Sequence, residues 1–280
     1  MTPASFTTFL GVDLGGGKGK TTAVARLVAE NGHARVVEVG TRVPGRNGKS
    51  PPFYDHLLVH YLREHAPGAV LGIDAPLTAT ACVRCQLPEC LTLEHCEEPT
   101  VAWFRRAVGV PAPGDPRVHD GVDGRGGRKP LLTPYTQRAC EVVLQRQHGI
   151  QPRETLGQGM GPLTARALYL RRALEGHFRL NENLLEVYPK ATLVRLFGRD
   201  VRHYKRHPDT WQVRARILER LADDLRFDVW REGCLGNDHC FDAVICAYTA
   251  YRWARDAWQL PADDRAVFES DGWIWIPPAS

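Results

Sequence analysis

Three apolar segments of the chain each end at or near a carboxylate, and this feature restricts the possible folds more than any other. The segments are "GVDLGG", "GIDAPL" and "LEVYP", and their acids are Asp13, Asp74 and Glu186. Short apolar runs bounded by glycine or proline are typical of buried β-strands. The chain is therefore expected to form a sheet in which several strand ends carry acidic side chains.

A fourth acid, Asp242, lies in the first turns of the apolar helix predicted for "FDAVICAYTAY". Each acid taken alone has a structural explanation, because acids often cap helices and an Asp before proline often sets a turn. Four buried acids together repel one another and are costly unless cations compensate them. Hard oxygen ligands suit Mg²⁺ or Mn²⁺, so the four carboxylates predict a divalent-metal site.

The glycine-rich stretch "LGVDLGGGKGKTT" is similar at first sight to a phosphate-binding loop. That loop requires G-x-x-x-x-G-K-[ST], but Leu14 stands where the first glycine should be. The following "TTAVARLV" is rich in β-branched residues and alternates, which favours a strand over a helix. The stretch is therefore predicted to be the turn of a β-hairpin.

The remaining patterns predict an α/β protein without repeats or a low-complexity linker. Strands are expected at 8–14, 21–28, 34–39, 69–76 and 183–189. Helices are expected near 53–65, 99–108, 133–147, 163–174, 209–226 and 238–258. The segment "AVFESDGWIWIP" predicts a closing hairpin with Asp271 and Gly272 at its turn. We expect one domain over residues 1–280, with a cysteine loop at 78–98 and a basic Gly/Pro-rich loop at 109–130 as insertions.

Four of the eight cysteines fall within "CVRCQLPECLTLEHC", spaced C-x2-C-x4-C-x5-C. In a reducing compartment such clusters hold metal more often than disulfides. Four thiolates can bind one Zn²⁺ or an iron–sulfur cluster such as [4Fe-4S], and the spacing does not choose between them. The predicted role is a structural clasp, and its ligands are Cys82, Cys85, Cys90 and Cys96.

Composition excludes few classes of partner. A net charge of +4 over 280 residues permits binding to nucleic acid without requiring it. The N-terminus lacks the features of a signal peptide, and no apolar run approaches the roughly 20 residues of a membrane span. We therefore expect a cytoplasmic protein with no membrane partner, and a homodimer or an unidentified protein partner stays open.

The order of these elements resembles the ribonuclease H fold. In that fold a three-stranded meander with an Asp on its first strand belongs to a mixed five-stranded sheet of order 3-2-1-4-5, flanked by helices. The phrases "GVDLGG", "GIDAPL", "LEVYP" and "FDAVICAYTAY" further resemble the domain of unknown function 429 family, whose members are predicted nucleases of this fold. This resemblance extends from Gly11 to the "DGWIWIP" end.

The resemblance implies a fold and a site. Strands 1 and 4 would be neighbours, and the cysteine loop would be an insertion after strand 4. Asp13, Asp74, Glu186 and Asp242 would form the metal-binding catalytic set. Two further cationic side chains, Arg138 and Lys190, could hold a scissile phosphate or stabilise its transition-state charge.

The leading functional hypothesis is a nuclease that hydrolyses DNA or RNA phosphodiester bonds by a two-metal-ion mechanism. One alternative is an ATP-dependent phosphotransferase, because "GVDLGGGKGKTT" also resembles the first phosphate loop of sugar kinases and actin-like ATPases. Those proteins duplicate the fold, and the sequence contains no second three-stranded meander after Asp74. Another alternative is a nucleic-acid-binding protein without catalytic activity.

Overall fold

The computed structural model of the chain describes residues 6–17, 20–45, 50–108, 133–206 and 208–278. The predicted basic loop at 109–130 lies outside these residues. The chain divides into two compact units. The larger comprises Met1–Leu77, Ala165–Gln259 and Ile274–Ser280, and the smaller comprises Thr78–Thr164 and Leu260–Trp273.

A mixed seven-stranded sheet forms the centre of the larger unit, with the order β6-β3-β2-β1-β4-β5-β7. The strands β1 to β3 are antiparallel neighbours, whereas β4, β5 and β7 continue from β1 in parallel and β6 runs parallel to β3. Their bounds are β1 Thr8–Asp13, β2 Ala23–Glu30, β3 His33–Gly40, β4 Ala69–Asp74, β5 Leu184–Val187, β6 Leu225–Phe227 and β7 Ile274–Trp275.

The predicted hairpin and the adjacency of strands 1 and 4 are confirmed, but the predicted count of five strands is wrong. The five predicted strands occupy the middle of the sheet in the order 3-2-1-4-5, and one short strand is added at each edge. The edge strand β6 overlaps the end of the predicted helix 209–226, since the helix of the structure already ends at Arg220.

The predicted closing hairpin at Asp271 and Gly272 is also wrong. Residues Arg265–Asp271 are helical, and β7 pairs in parallel with β5 rather than with a preceding strand. The Asp-Gly pair ends a helix here, since Gly272 has a φ of 92°, in the left-handed region.

Helices accompany the sheet in the larger unit. Their bounds are α1 Asp55–Glu64, α6 Gly161–Ala173, α7 Pro189–Phe197, α8 Thr210–Arg220, α9 Arg231–Gly236 and α10 Asp238–Arg255, with a 3-10 helix at Arg199–His203. The first turn of α6 belongs to the smaller unit. None of the helices in the described ranges has the length and apolar character needed to cross a membrane.

The smaller unit is helical in the residues described. Its helices are α2 Ala81–Arg84, α3 Thr92–His95, α4 Pro99–Val108, α5 Ala139–His148 and α11 Arg265–Asp271. Helices α4, α5 and α11 contact one another. The rings of Trp103 and Phe268 pack edge to face with their centroids 5.9 Å apart. Helix α5 begins later than the predicted residue 133, because 133–137 form turns before it.

Helix α10 is the main cover of the sheet. Asn237 caps it by accepting hydrogen bonds from the backbone N–H groups of His239 and Cys240, and every residue from Cys240 to Tyr251 is buried. A helix that is apolar on all sides must lie inside the protein. It packs on β1, β2 and β4.

Two glycines let α10 approach the sheet closely. Gly11 and Gly72 are paired neighbours on β1 and β4. A Cβ on Gly11 would overlap the carbonyl oxygen of Ala243, and one on Gly72 would lie 2.7 Å from the carbonyl oxygen of Cys246. Backbone therefore packs on backbone at this point, which no other residue type permits.

We expect Gly11→Ala to lower the free energy of unfolding by about 3 kcal/mol, because the added methyl group meets helix backbone that cannot move aside. Urea denaturation followed by circular dichroism would measure the change. Gly236→Ala is the matched control, since a Cβ there meets nothing within 4 Å. Equal losses in the two variants would contradict the close-packing argument.

Candidate metal centre

Three of the four predicted acids converge at the ends of β1 and β4. Asp13 and Asp74 are the last residues of these strands and are paired in register. Asp242 lies in the second turn of α10, next to Ala243, which packs on Gly11. One oxygen from each of Asp13, Asp74 and Asp242 lies within 4.8 Å of the others. In the described part of the chain, no other group of three or more acidic, histidine or cysteine side chains comes this close.

Burial makes this carboxylate triad electrostatically unfavourable. Asp242 is fully buried, Asp13 is 8% exposed and Asp74 is half-buried. Burial, followed by the charges of Asp13 and Asp242, raises the pKa of Asp74 well above its ordinary value. Burial also raises the pKa of Asp242 to about 6, against the opposing effect of Lys205. The triad therefore favours binding of a proton or of a compensating cation.

Lys205 supplies a positive charge to the triad, although sequence analysis did not predict it. Its ammonium group forms an ion pair with Oδ2 of Asp242. Burial alone would lower the pKa of Lys205, but the charges of Asp242 and Asp74 raise it instead. The side chain remains 39% exposed, so part of it faces solvent while its ammonium group contacts the triad.

Tyr204 fixes the segment that carries Lys205. Its hydroxyl donates a hydrogen bond of 2.8 Å to Oδ1 of Asp242, and its carbonyl oxygen accepts one of 3.1 Å from the buried Arg214. Burial, followed by the charge of Asp242, raises the pKa of Tyr204 well above its ordinary value, so the hydroxyl keeps its proton. Tyr204 thus positions both Asp242 and the neighbouring lysine.

His239 contacts the first acid of the triad. Its Nδ1 lies 2.5 Å from Oδ2 of Asp13, and this hydrogen bond raises the pKa of His239. The structure places it where it orients the Asp13 carboxylate.

Glu186 lies near the triad but outside the set of converging oxygens. It is paired with Ile73 on β4, is 4% exposed, and accepts a 2.8 Å hydrogen bond from the backbone N–H of Leu77. Its charge contributes to the raised pKa of Asp74. Its assignment as a metal ligand stays a prediction.

The two predicted phosphate-binding cations occupy different settings. Arg138 belongs to the smaller unit, where it is fully buried and donates hydrogen bonds to Thr78, Glu141 and Thr155. Lys190 is half-buried in the first turn of α7 and forms no ion pair with the described residues. Lys205 is the lysine that the structure brings to the triad.

The turn after Asp13 is held by Arg166. Its guanidinium donates to the carbonyl oxygen of Gly15, to the hydroxyl of Thr22 at 2.8 Å, and to Asp55 at 2.7 Å. The backbone N–H of Gly15 donates to the same threonine hydroxyl. These contacts fix the end of β1, and therefore the backbone that carries Asp13.

The four predicted cysteine ligands lie in the smaller unit with free thiols. Cys82 and Cys90 are exposed, and Cys85 and Cys96 are partly exposed. Burial, followed by the charges of Cys96, Cys90 and Cys85, raises the pKa of Cys82 to about 11. No three of these four sulfurs lie within 4.8 Å of one another, so the thiols do not form a preassembled site.

The sequence of the chain matches one known protein family. Residues 11–266 match the family model described as "Protein of unknown function (DUF429)". The chain belongs to this family. No curated protein and no solved structure matches it. The triad of this DUF429 protein falls within the matched residues, but the family description assigns it no activity.

The chemistry of the triad fits a hard divalent cation. Its donors are carboxylate oxygens, which Mg²⁺ and Mn²⁺ prefer. The ammonium group of Lys205 already lies against Asp242 as one positive charge at the triad. A divalent ion would compensate the mutual repulsion of the three acids more fully than one lysine does.

We expect Asp74→Asn to raise the melting temperature of EDTA-treated protein, because it removes one charge from a repelling set. A decrease of about 1 kcal/mol in the repulsion between the acids corresponds to a rise of roughly 2–4 °C in the melting temperature.

The raised pKa values of Asp74 and Asp242 mean that the folded state binds protons more tightly than the unfolded chain. Wild-type stability should therefore fall as the pH rises from the ordinary carboxyl range through about 6, and less steeply in the variant.

Differential scanning fluorimetry between pH 5 and 8 would measure both effects. Asp223→Asn is the matched control, since Asp223 is exposed in the same unit. A lower melting temperature for Asp74→Asn at every pH would mean that its charge is already compensated in the absence of metal.

Proposed function

We propose that this protein is a metal-dependent nuclease with a ribonuclease H-like fold, which hydrolyses phosphodiester bonds of DNA or RNA. The observation that carries the proposal is the convergence of Asp13, Asp74 and Asp242 at two adjacent strand ends and one covering helix. The central strand order 3-2-1-4-5 supports the assignment of the fold.

Asp13, Asp74 and Asp242 would hold Mg²⁺ or Mn²⁺, with Glu186 beside them as a further ligand. When bound, two such ions supply an activated water molecule and charge stabilisation for the leaving oxygen. Oxygen ligands on a strand end and a helix are held more rigidly than ligands on loops, which suits a site that must align a phosphate.

The chain's own residues would orient the ligands and contact the substrate. His239 holds Asp13, and Tyr204 holds Asp242 with a proton that it does not lose. Lys205 is the cation best placed to bind the scissile phosphate, since its ammonium group lies at the triad and part of its side chain faces solvent. A fixed ammonium group at a phosphate also stabilises charge that develops in the transition state.

We expect Asp13→Asn, Asp74→Asn and Asp242→Asn each to reduce cleavage by at least about 100-fold, because each removes a carboxylate from the proposed metal-binding set. The assay would use labelled single-stranded, double-stranded, hybrid and branched DNA and RNA with Mg²⁺ or Mn²⁺. Asp238→Asn is the matched control, since Asp238 begins the same helix but is not part of the triad.

Outcomes other than cleavage separate the competing functions. ATP hydrolysis without cleavage of any nucleic acid would favour the phosphotransferase alternative. Binding without either activity would favour a catalytically silent nucleic-acid-binding protein. Cleavage that persists unchanged in all three triad variants would overturn the carboxylate mechanism.

We expect Lys205→Met to bind Mn²⁺ at least about tenfold more tightly than wild type, a change of about 1.4 kcal/mol, because the ammonium group and the ion compete for Asp242. The same variant should cleave more slowly at saturating Mn²⁺. Isothermal titration calorimetry would measure affinity, and Lys190→Met is the control lysine. Weaker Mn²⁺ binding in Lys205→Met would show that the lysine supports the ion rather than competing with it.

A further inference from the structure

The segment from residue 82 to residue 99, the cysteine segment, folds without a core of its own. None of its residues is buried, and Val83, Leu87 and Leu91 are 59%, 49% and 49% exposed. Its two helices, α2 and α3, contain only four residues each. Helices of one turn are not stable by themselves in water, so another interaction must hold this segment.

Hydrogen bonds fix the two ends of the cysteine segment but not its middle. At the start, Arg84 donates to Thr100 at 3.0 Å and to Asp271 at 2.8 Å. At the end, Arg105 donates to the carbonyl oxygens of Leu93 and Cys96, both at 2.6 Å. Ordering each backbone residue costs about 1–2 kcal/mol, and the middle of the segment has neither packing nor such anchors to offset it.

The four cysteines are distributed over both the fixed ends and the free middle. Cys82 and Cys85 lie on either side of the anchor at Arg84, and the carbonyl oxygen of Cys96 accepts from Arg105, whereas Cys90 lies in the middle between these anchors. The backbone N–H of Leu87 points at Sγ of Cys85 at 3.4 Å, a contact that strengthens when the sulfur is a thiolate. A ligand shared by all four sulfurs would tie the middle of the segment to its ends.

We propose that Cys82, Cys85, Cys90 and Cys96 bind a thiophilic metal centre as four thiolates, and that this centre orders the cysteine segment. Binding releases the four thiol protons to solvent and forms four metal–sulfur bonds without a change of oxidation state in the cysteines. Zn²⁺ and an iron–sulfur cluster share this ligand chemistry. The proposal does not depend on nuclease activity.

Metal analysis of the purified protein is the first test. Protein prepared without oxygen should contain about one Zn²⁺ per chain, or iron with matching acid-labile sulfide and visible absorption. Cys90→Ser should lose this metal while keeping the wild-type far-ultraviolet circular dichroism, because Cys90 is exposed and packs against no core. Cys140→Ala should keep it, since Cys140 is a buried cysteine outside the segment.

Proteolysis tests the ordering role by a second measurement. The cysteine segment contains Glu89, Glu94 and Glu97, each followed by a residue other than proline, so a glutamate-specific protease can cut it. Removal of the metal should increase the rate of cleavage at these sites by at least about tenfold, with other sites unaffected. Asp13→Asn should retain the cysteine metal, which separates this site from the carboxylate triad.

Three results would overturn the proposal. The first is protein without stoichiometric metal whose four thiols react rapidly with Ellman's reagent in the native state. The second is full metal content in both Cys85→Ser and Cys90→Ser. The third is a metal that can be removed without any change in cleavage at Glu89, Glu94 and Glu97.

Discussion

The contact between helix α10 and the glycines of β1 and β4 is the interaction on which the rest of the structure depends. Gly11 and Gly72 each precede an aspartate by two residues, so each glycine lies on the same face of the sheet as its acid. The glycines admit the helix backbone, and the helix brings Asp242 to the acids at the strand ends. In both "GVD" and "GID", the glycine therefore permits the close packing of the helix and the aspartate supplies an acid of the triad.

Such close packing has an electrostatic cost. Three carboxylates are brought together in a largely apolar interior, where the pKa of Asp74 and the pKa of Asp242 both rise. Neutral residues in their places would relieve this cost, so stability does not explain the acids. Lys205 compensates part of the charge from a segment that Tyr204 and Arg214 anchor. An arrangement that lowers stability but concentrates ligand oxygens is what a functional site requires.

The sequence predicted the parts of the site that regular elements carry. Asp13, Asp74 and Asp242 lie at strand ends and on an apolar helix, where local pattern determines position. Lys205 was missed because it follows a 3-10 helix in the basic stretch "RHYKRHP", where nothing local distinguishes one cation from its neighbours. The edge strand β6 was missed because it contains three residues and only its pairing with β3 defines it. The segment of β7 was predicted as part of a hairpin, but its partner was wrong, because the strand pairs with the distant β5.

The two proposed metal sites differ in whether folding precedes metal binding or depends on it. The carboxylate triad is placed by a sheet and a buried helix, whose packing stabilises the fold whether or not an ion binds. The cysteine segment has no buried residue and is anchored only at its ends, so the proposed ligand would supply the energy that orders its middle. Hard ligands on rigid elements suit an ion that must act on a substrate with fixed geometry. Soft ligands on an unsupported segment suit a metal whose role is to complete the fold, and the cysteine segment should therefore be the part of the chain whose order depends on metal supply.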